Sequence, residues 1–134
     1  MHSCDKKYDL AGIIIGLAMK VHNTLGPGFL ESIYQNALIL ELQDAGHKVE
    51  SEKNITVKYR DTVIGTFVSD LLVDDLLIVE NKAIQKLTIA HEIQLVNYLT
   101  ATGLNEGLLL NFGGIRLEYK KKFRIYAYED HPPF

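Results

Sequence analysis

The sequence predicts an α/β domain with a mixed sheet, and three observations predict it. Two segments with helical apolar spacing come first, and three segments of strand character follow. A third helical segment then separates these strands from a nearly all-apolar run at residues 108–112. Helix, helix, three strands, helix, strand, strand is the order of a sheet with helices on its faces, and the apolar run reads as a strand buried on both faces.

Each element has its own justification. Leu10, Ile13, Ile14, Leu17 and Val21 lie on one face of a helix, with Asp9 as the N-cap and Gly26-Pro27-Gly28 as the break. A second helix is predicted over 29–45, with Gly46 as the left-handed residue beyond it. Its predicted core stripe is Leu30, Ile33, Ala37 and Leu40, widened by Tyr34, Leu38 and Leu42, so the helix is expected to be well buried. From Val49 the period becomes two: Ile55, Val57 and Tyr59 alternate with Thr56 and Lys58 up to Arg60-Asp61. Residues 63–73 and 76–83 read as a hairpin, and residues 88–102 as a third helix ended by Gly103. Residues 108–112 and 122–128 are the last strands, before a tail at 131–134.

With 134 residues, 47% hydrophobic and 23% charged, the chain reads as one domain over 1–134 with short tails. A net charge of −3 does not attract nucleic acid in bulk, which leaves a bound cation and a local basic patch as the way to approach phosphates. Cys4 is the sole cysteine, which excludes an intrachain disulfide and a Cys-rich zinc cage. Lys6-Lys7 before the apolar run 10–19 mimics a signal peptide, but Asp5 and Asp9 interrupt it and no small-x-small cleavage site follows. The run is too short to span a bilayer, so a cytoplasmic protein with no membrane partner is expected.

Asp70, Glu80 and Lys82 stand in the hairpin where apolar residues belong. Charges in such strands are costly unless compensated. Whether the two carboxylates meet depends on the turn. A symmetric two-residue loop at Asp74-Asp75 would pair Asp70 with Val79 and turn Glu80 to the opposite face. A three-residue loop, Asp74 to Leu76, pairs Val73 with Leu77 and sets Asp70 across from Glu80, with Lys82 on the same face. We predict this second, asymmetric turn, or a bulge. Carboxylates about 5 Å apart repel by about 3 kcal/mol at an effective dielectric near 20, roughly two pKa units. Such a pair takes up a proton or a hard dication, Mg²⁺ or Mn²⁺. The plainer reading makes them solvated strand-end residues with Lys82 as a surface salt-bridge partner, and the other segments weigh against it.

Three stretches resemble one family. Gly28-Phe29-Leu30-Glu31-Ser32-Ile33-Tyr34 matches the Gly-x-x-Glu-x-x-Tyr signature of a group of small bacterial and archaeal proteins. Asp70 with Glu80-Asn81-Lys82 resembles the core motif of the PD-(D/E)xK nuclease superfamily, to which that group is assigned. Gln94-Leu95-Val96-Asn97-Tyr98 resembles the Gln-x-x-x-Tyr element of RecB-like and lambda-exonuclease-like members. The resemblance covers about 10–125. Two departures are visible: Asn81 stands where an apolar residue is usual, and Ser69 where the superfamily's proline would be.

The resemblance implies a restriction-endonuclease-like mixed β-sheet flanked by helices and metal-dependent phosphodiester hydrolysis. Asp70 and Glu80 would hold Mg²⁺ or Mn²⁺, with the Asn81 carbonyl as a third ligand and Glu31 joining directly or through water. Lys82 would position or deprotonate the attacking water, or stabilise the phosphorane. Gln94 and Tyr98, one turn apart on the third helix, would orient the water or touch a phosphate; Tyr98 reads equally well as a core residue. His91 reads as structural, because the zinc-protease pattern that His91-Glu92 begins requires a second histidine where Leu95 stands. Lys120-Lys121-Lys122 with Arg124 is the one dense basic run, a seat for a nucleic-acid backbone or a solvated face. His22 and Asn23 border the glycine-rich break. DNA or RNA is the expected partner, and self-association or a partner protein is expected because so small a chain covers little DNA. The reading from another class is a catalytically silent binding or interaction module that keeps the fold.

Overall fold

The computed structural model describes residues 9–124. Its elements are α1 (Leu10–Leu25), α2 (Glu31–Asp44), β1 (Val49–Tyr59), β2 (Thr62–Val73), β3 (Leu77–Lys82), α3 (Ile89–Thr102), β4 (Glu106–Asn111) and β5 (Glu118–Phe123). Cys4, Lys6-Lys7, the tail at 131–134 and the 125–128 part of the predicted last strand lie outside the described residues. The last strand begins earlier than predicted, because Lys120, Lys121 and Lys122 pair with Leu109, Leu108 and Gly107 inside the sheet.

The five strands lie in the order β1-β2-β3-β4-β5. Only β3 and β4 run parallel, joined through α3 as a crossover must be; the other neighbours are antiparallel. Strand alternation divides the core. Leu71, Val73, Leu77, Val79, Leu108 and Leu110 pack under α1 and α2, while Leu72, Ile78 and Leu109 pack against Leu95 and Leu99 of α3. The mixed sheet with helices on its faces is the fold class that the element order predicts. No helix among the described residues is long and apolar enough to cross a membrane.

Local chemistry sets the element ends. The Asp9 side chain accepts the Gly12 N–H at 2.9 Å and caps α1. Thr88 and His91 form a reciprocal capping box at the start of α3, and Gly103 closes that helix at φ 76°. His91 is therefore structural, as expected. His22 is structural too: it is buried, with its Nε2 2.9 Å from the Gly114 carbonyl oxygen.

The helix faces differ from the predicted stripes. In α1, Ile13 turns outward, and Ala11, Ile15 and Ala18 are buried. In α2, Leu30 is 73% and Leu40 63% exposed, while Tyr34, Gln35, Leu38 and Leu42 are buried. Tyr34 decides this rotation. Its ring stacks on Phe112 with centroids 4.8 Å apart, and its hydroxyl donates to the Gly26 carbonyl and accepts the Phe29 N–H. Those bonds pin the glycine-rich turn, in which Gly28 adopts φ 110°, a conformation costly for any side chain. Tyr34 thus belongs to the core, as its place in the widened stripe predicts.

Candidate active site

The β2–β3 turn has the predicted asymmetry. Asp74 and Asp75 both take left-handed conformations (φ 54° and 57°), and the Leu76 N–H donates to the Val73 carbonyl. Asp tolerates these angles better than most residues. Leu76 is the extra residue, and the ladder runs Val73↔Leu77, Leu72↔Ile78, Leu71↔Val79. Asp74 also fastens the turn to the α2–β1 connection, through its carboxylate to the Lys48 N–H at 2.9 Å and to His47 Nδ1 at 2.7 Å.

One step beyond Leu71↔Val79 the ladder stops and side chains take over. The Asp70 N–H donates to Glu80 Oε2 at 3.1 Å, and the Asn81 N–H donates to Asp70 Oδ2 at 2.7 Å. Pairing of β1 with β2 skips the same place: Ser51↔Leu71 is followed by Lys53↔Ser69, and Glu52 stands between them at φ 51°. The strands part at Asp70, so its carboxylate and that of Glu80 project from a fork. By alternation this is the side that packs on α3.

Charge accumulates at the fork. Burial raises the Glu80 carboxyl to about 8, with the Asp70 charge adding to the rise and Lys82 opposing it. Burial also raises Asp70, against the pull of the Asn81 N–H and Lys82. Glu31, in the first turn of α2, is raised by burial and by Asp70 and lowered by Lys82. Burial, rather than mutual repulsion, is thus the first cause of each shift. Lys82 acts on all three carboxylates while forming no ion pair of 4 Å or shorter with a described residue.

The structure brings Asp70, Glu80, Lys82 and Glu31 into one electrostatic cluster. Tyr98 joins it: its phenol is raised by burial and by Glu80 and Asp70, and lowered by a hydrogen bond with Gln94. The Tyr98 ring is half-buried and stacks on Phe67 at 3.7 Å. Sequence reasoning overlooked Phe67 and Glu52, whose charge acts on Asp70. Both lie in strands of ordinary alternation, where nothing marks them. The basic run is partly committed: Lys122 pairs with Glu92 of α3 at 2.9 Å.

Among the described residues, no three His, Cys, Asp or Glu side chains gather closely enough to cage a metal alone. The fork instead presents two carboxylates, Asp70 and Glu80, bordered by the Asn81 peptide, whose N–H lies 2.7 Å from Asp70 Oδ2. Hard oxygens in small number suit a magnesium-like ion, which keeps several waters. Glu80, buried and beside the Asp70 and Glu31 carboxylates, is a group that a cation would relieve, so the residues fit such an ion.

Residues 8–123 match the family described as the PD-(D/E)XK nuclease superfamily. No curated protein matches the chain. Among solved structures, SSO0001 superposes with a TM-score of 0.55 at 17% identity, over 74% of this chain and 52% of that one. The chain spans about half the length of SSO0001, and the likeness shows a shared fold. An alkaline exonuclease from Laribacter hongkongensis superposes with a TM-score of 0.43 at 14% identity, over 81% of this chain and 76% of that one. The mixed sheet flanked by helices is a restriction-endonuclease-like α/β fold.

Proposed function

The chain belongs to the PD-(D/E)XK nuclease superfamily, and from that premise we propose that it is a metal-dependent nuclease hydrolysing phosphodiester bonds of DNA or RNA. We place it in the group that carries the Gly-x-x-Glu-x-x-Tyr signature. The observation that carries the reading is the fork at Asp70, where the buried Glu80 carboxylate, the half-buried Asp70 carboxylate and Lys82, which forms no ion pair with a described residue, face one side of the sheet.

In this reading Asp70, Glu80 and the Asn81 carbonyl would hold Mg²⁺ or Mn²⁺, with Glu31 joining directly or through water. The bound ion supplies Lewis-acid polarisation of the phosphoryl oxygen and a water of lowered pKa. Lys82 would position or deprotonate the attacking water, or oppose the charge growing on the phosphorane. Gln94 hydrogen-bonds the Tyr98 phenol, on which the Glu80 and Asp70 charges act, and the pair would orient the water or touch a substrate phosphate. Backbone binding falls to local cations, since the net charge of −3 gives no bulk attraction.

The test is cleavage of single-stranded, duplex and structured DNA and RNA with Mg²⁺ and Mn²⁺. Wild type should cut at least one substrate. Lys82→Ala should lose about 10²–10³-fold in rate, the scale for removing one transition-state donor, at an unchanged thermal midpoint. Absence of cleavage, together with equal thermal responses of wild type and Asp70→Asn to Mg²⁺, would favour the silent module.

A further inference from the structure

The side chain of Asn81 points away from the fork, yet it is fully buried. Its Nδ2 donates to Gln35 Oε1 of α2 at 3.3 Å, inside the protein. Its Oδ1, and the Oγ of the equally buried Ser69, find no hydrogen-bond partner among the described residues. A buried amide with an unpaired oxygen is costly compared with an apolar residue of the same size. Asn81 is thus not there to stabilise the core.

Its connections indicate another use. The main-chain N–H of the same residue grips Asp70 Oδ2 at 2.7 Å. Gln35 lies one helical turn after Glu31, so both project from one face of α2. A single amide–amide contact therefore joins the helix that carries Glu31 to the peptide that holds Asp70.

We propose that Gln35 and Asn81 are positioning residues: their contact behind the sheet sets the Asn81 peptide against Asp70 and fixes where α2 holds Glu31 over the fork. The inference rests on the metal-site reading above, in which Asp70 and the Asn81 carbonyl are ligands. Partners that orient ligands typically alter metal affinity by about 10–100-fold when removed.

The experiment uses the full chain and Mn²⁺ as probe, with binding followed by electron paramagnetic resonance. Asn81→Leu and Gln35→Met, both close in volume, should each weaken Mn²⁺ binding by about tenfold or more. The double variant should be no weaker than the poorer single one, because the two share one contact. The metal-free thermal midpoint of the double variant should stay level or rise, whereas each single variant leaves one buried amide group unpaired and should melt lower. In metal-free protein, the amide at position 81 should exchange hydrogen faster in both variants. Wild-type Mn²⁺ affinity and wild-type exchange in both variants would overturn the proposal while leaving the metal site intact. Faster exchange in both variants, with no Mn²⁺ uptake by wild type, would instead sink the metal reading and leave the hold on Asp70 standing. Gln35→Met lies outside the strand, so the test survives misfolding of Asn81→Leu.

Discussion

Glu80 concentrates the energetic conflict of the site in one side chain. Its carboxyl is raised from 4.5 to about 8, mainly by burial. Between those values the folded protein holds a proton that the unfolded chain has released. Metal-free stability should therefore fall as pH rises through that window, and the penalty should be complete above about pH 8. Glu80→Gln keeps an oxygen to accept the Asp70 N–H and removes the charge. Its metal-free stability should exceed that of wild type above pH 8 by about a few kcal/mol, seen as a higher thermal midpoint, and converge with it towards pH 4.5. Thermal melts across this range without metal check the sign; a variant less stable than wild type at high pH contradicts it.

At the scale of elements, the connection after β3 is set by close approach. Asn111 Oδ1 accepts the N–H groups of Ile84 and Gly113, each at 3.0 Å, and its Nδ2 donates to Glu118 at 3.1 Å. A Cβ on Gly113 would fall 2.1 Å from the Ile84 carbonyl oxygen, so Gly113→Ala must move main chain just beyond Lys82. It should cost about 1–3 kcal/mol. Gly16→Ala, in the interior of α1 with open space around it, should instead stabilise by about 0.5–1 kcal/mol. Denaturant melts of the two variants should shift in opposite directions. The brace at Asn111 has no signature in the sequence, where it closes an ordinary apolar strand. Element order, by contrast, was legible, because signals such as the Asp9 cap and the closing glycine Gly103 act on neighbours along the chain.

For the whole molecule, proton and metal compete for one cluster. If Glu80 must release its proton to bind a dication, Mg²⁺ affinity should rise by about tenfold per pH unit below pH 8 and level off above it. Calorimetric titration from pH 6 to 9 tests this; an affinity independent of pH would place the ion elsewhere. Phosphate binding should respond steeply to salt only as far as local cations contribute, because the molecule carries a net charge of −3. Lys122 is already paired with Glu92, which leaves Lys120 and Lys121 as the exposed part of the basic run.

The sequence by itself determined the order of elements and marked the candidate carboxylates, which follow from period, turn residues and charge read along a short stretch of chain, while the choice between two possible turns came from the ladder Val73↔Leu77. Tertiary structure decided which face of α2 is buried, since that depends on Tyr34 meeting Phe112 far along the chain. It also decided that Asn81 meets Gln35, that Phe67 stacks on Tyr98 and that burial is the first cause of the Glu80 shift. Contacts of this kind arise only when distant segments pack together, and desolvation is a property of the packed whole rather than of any residue's neighbours in sequence.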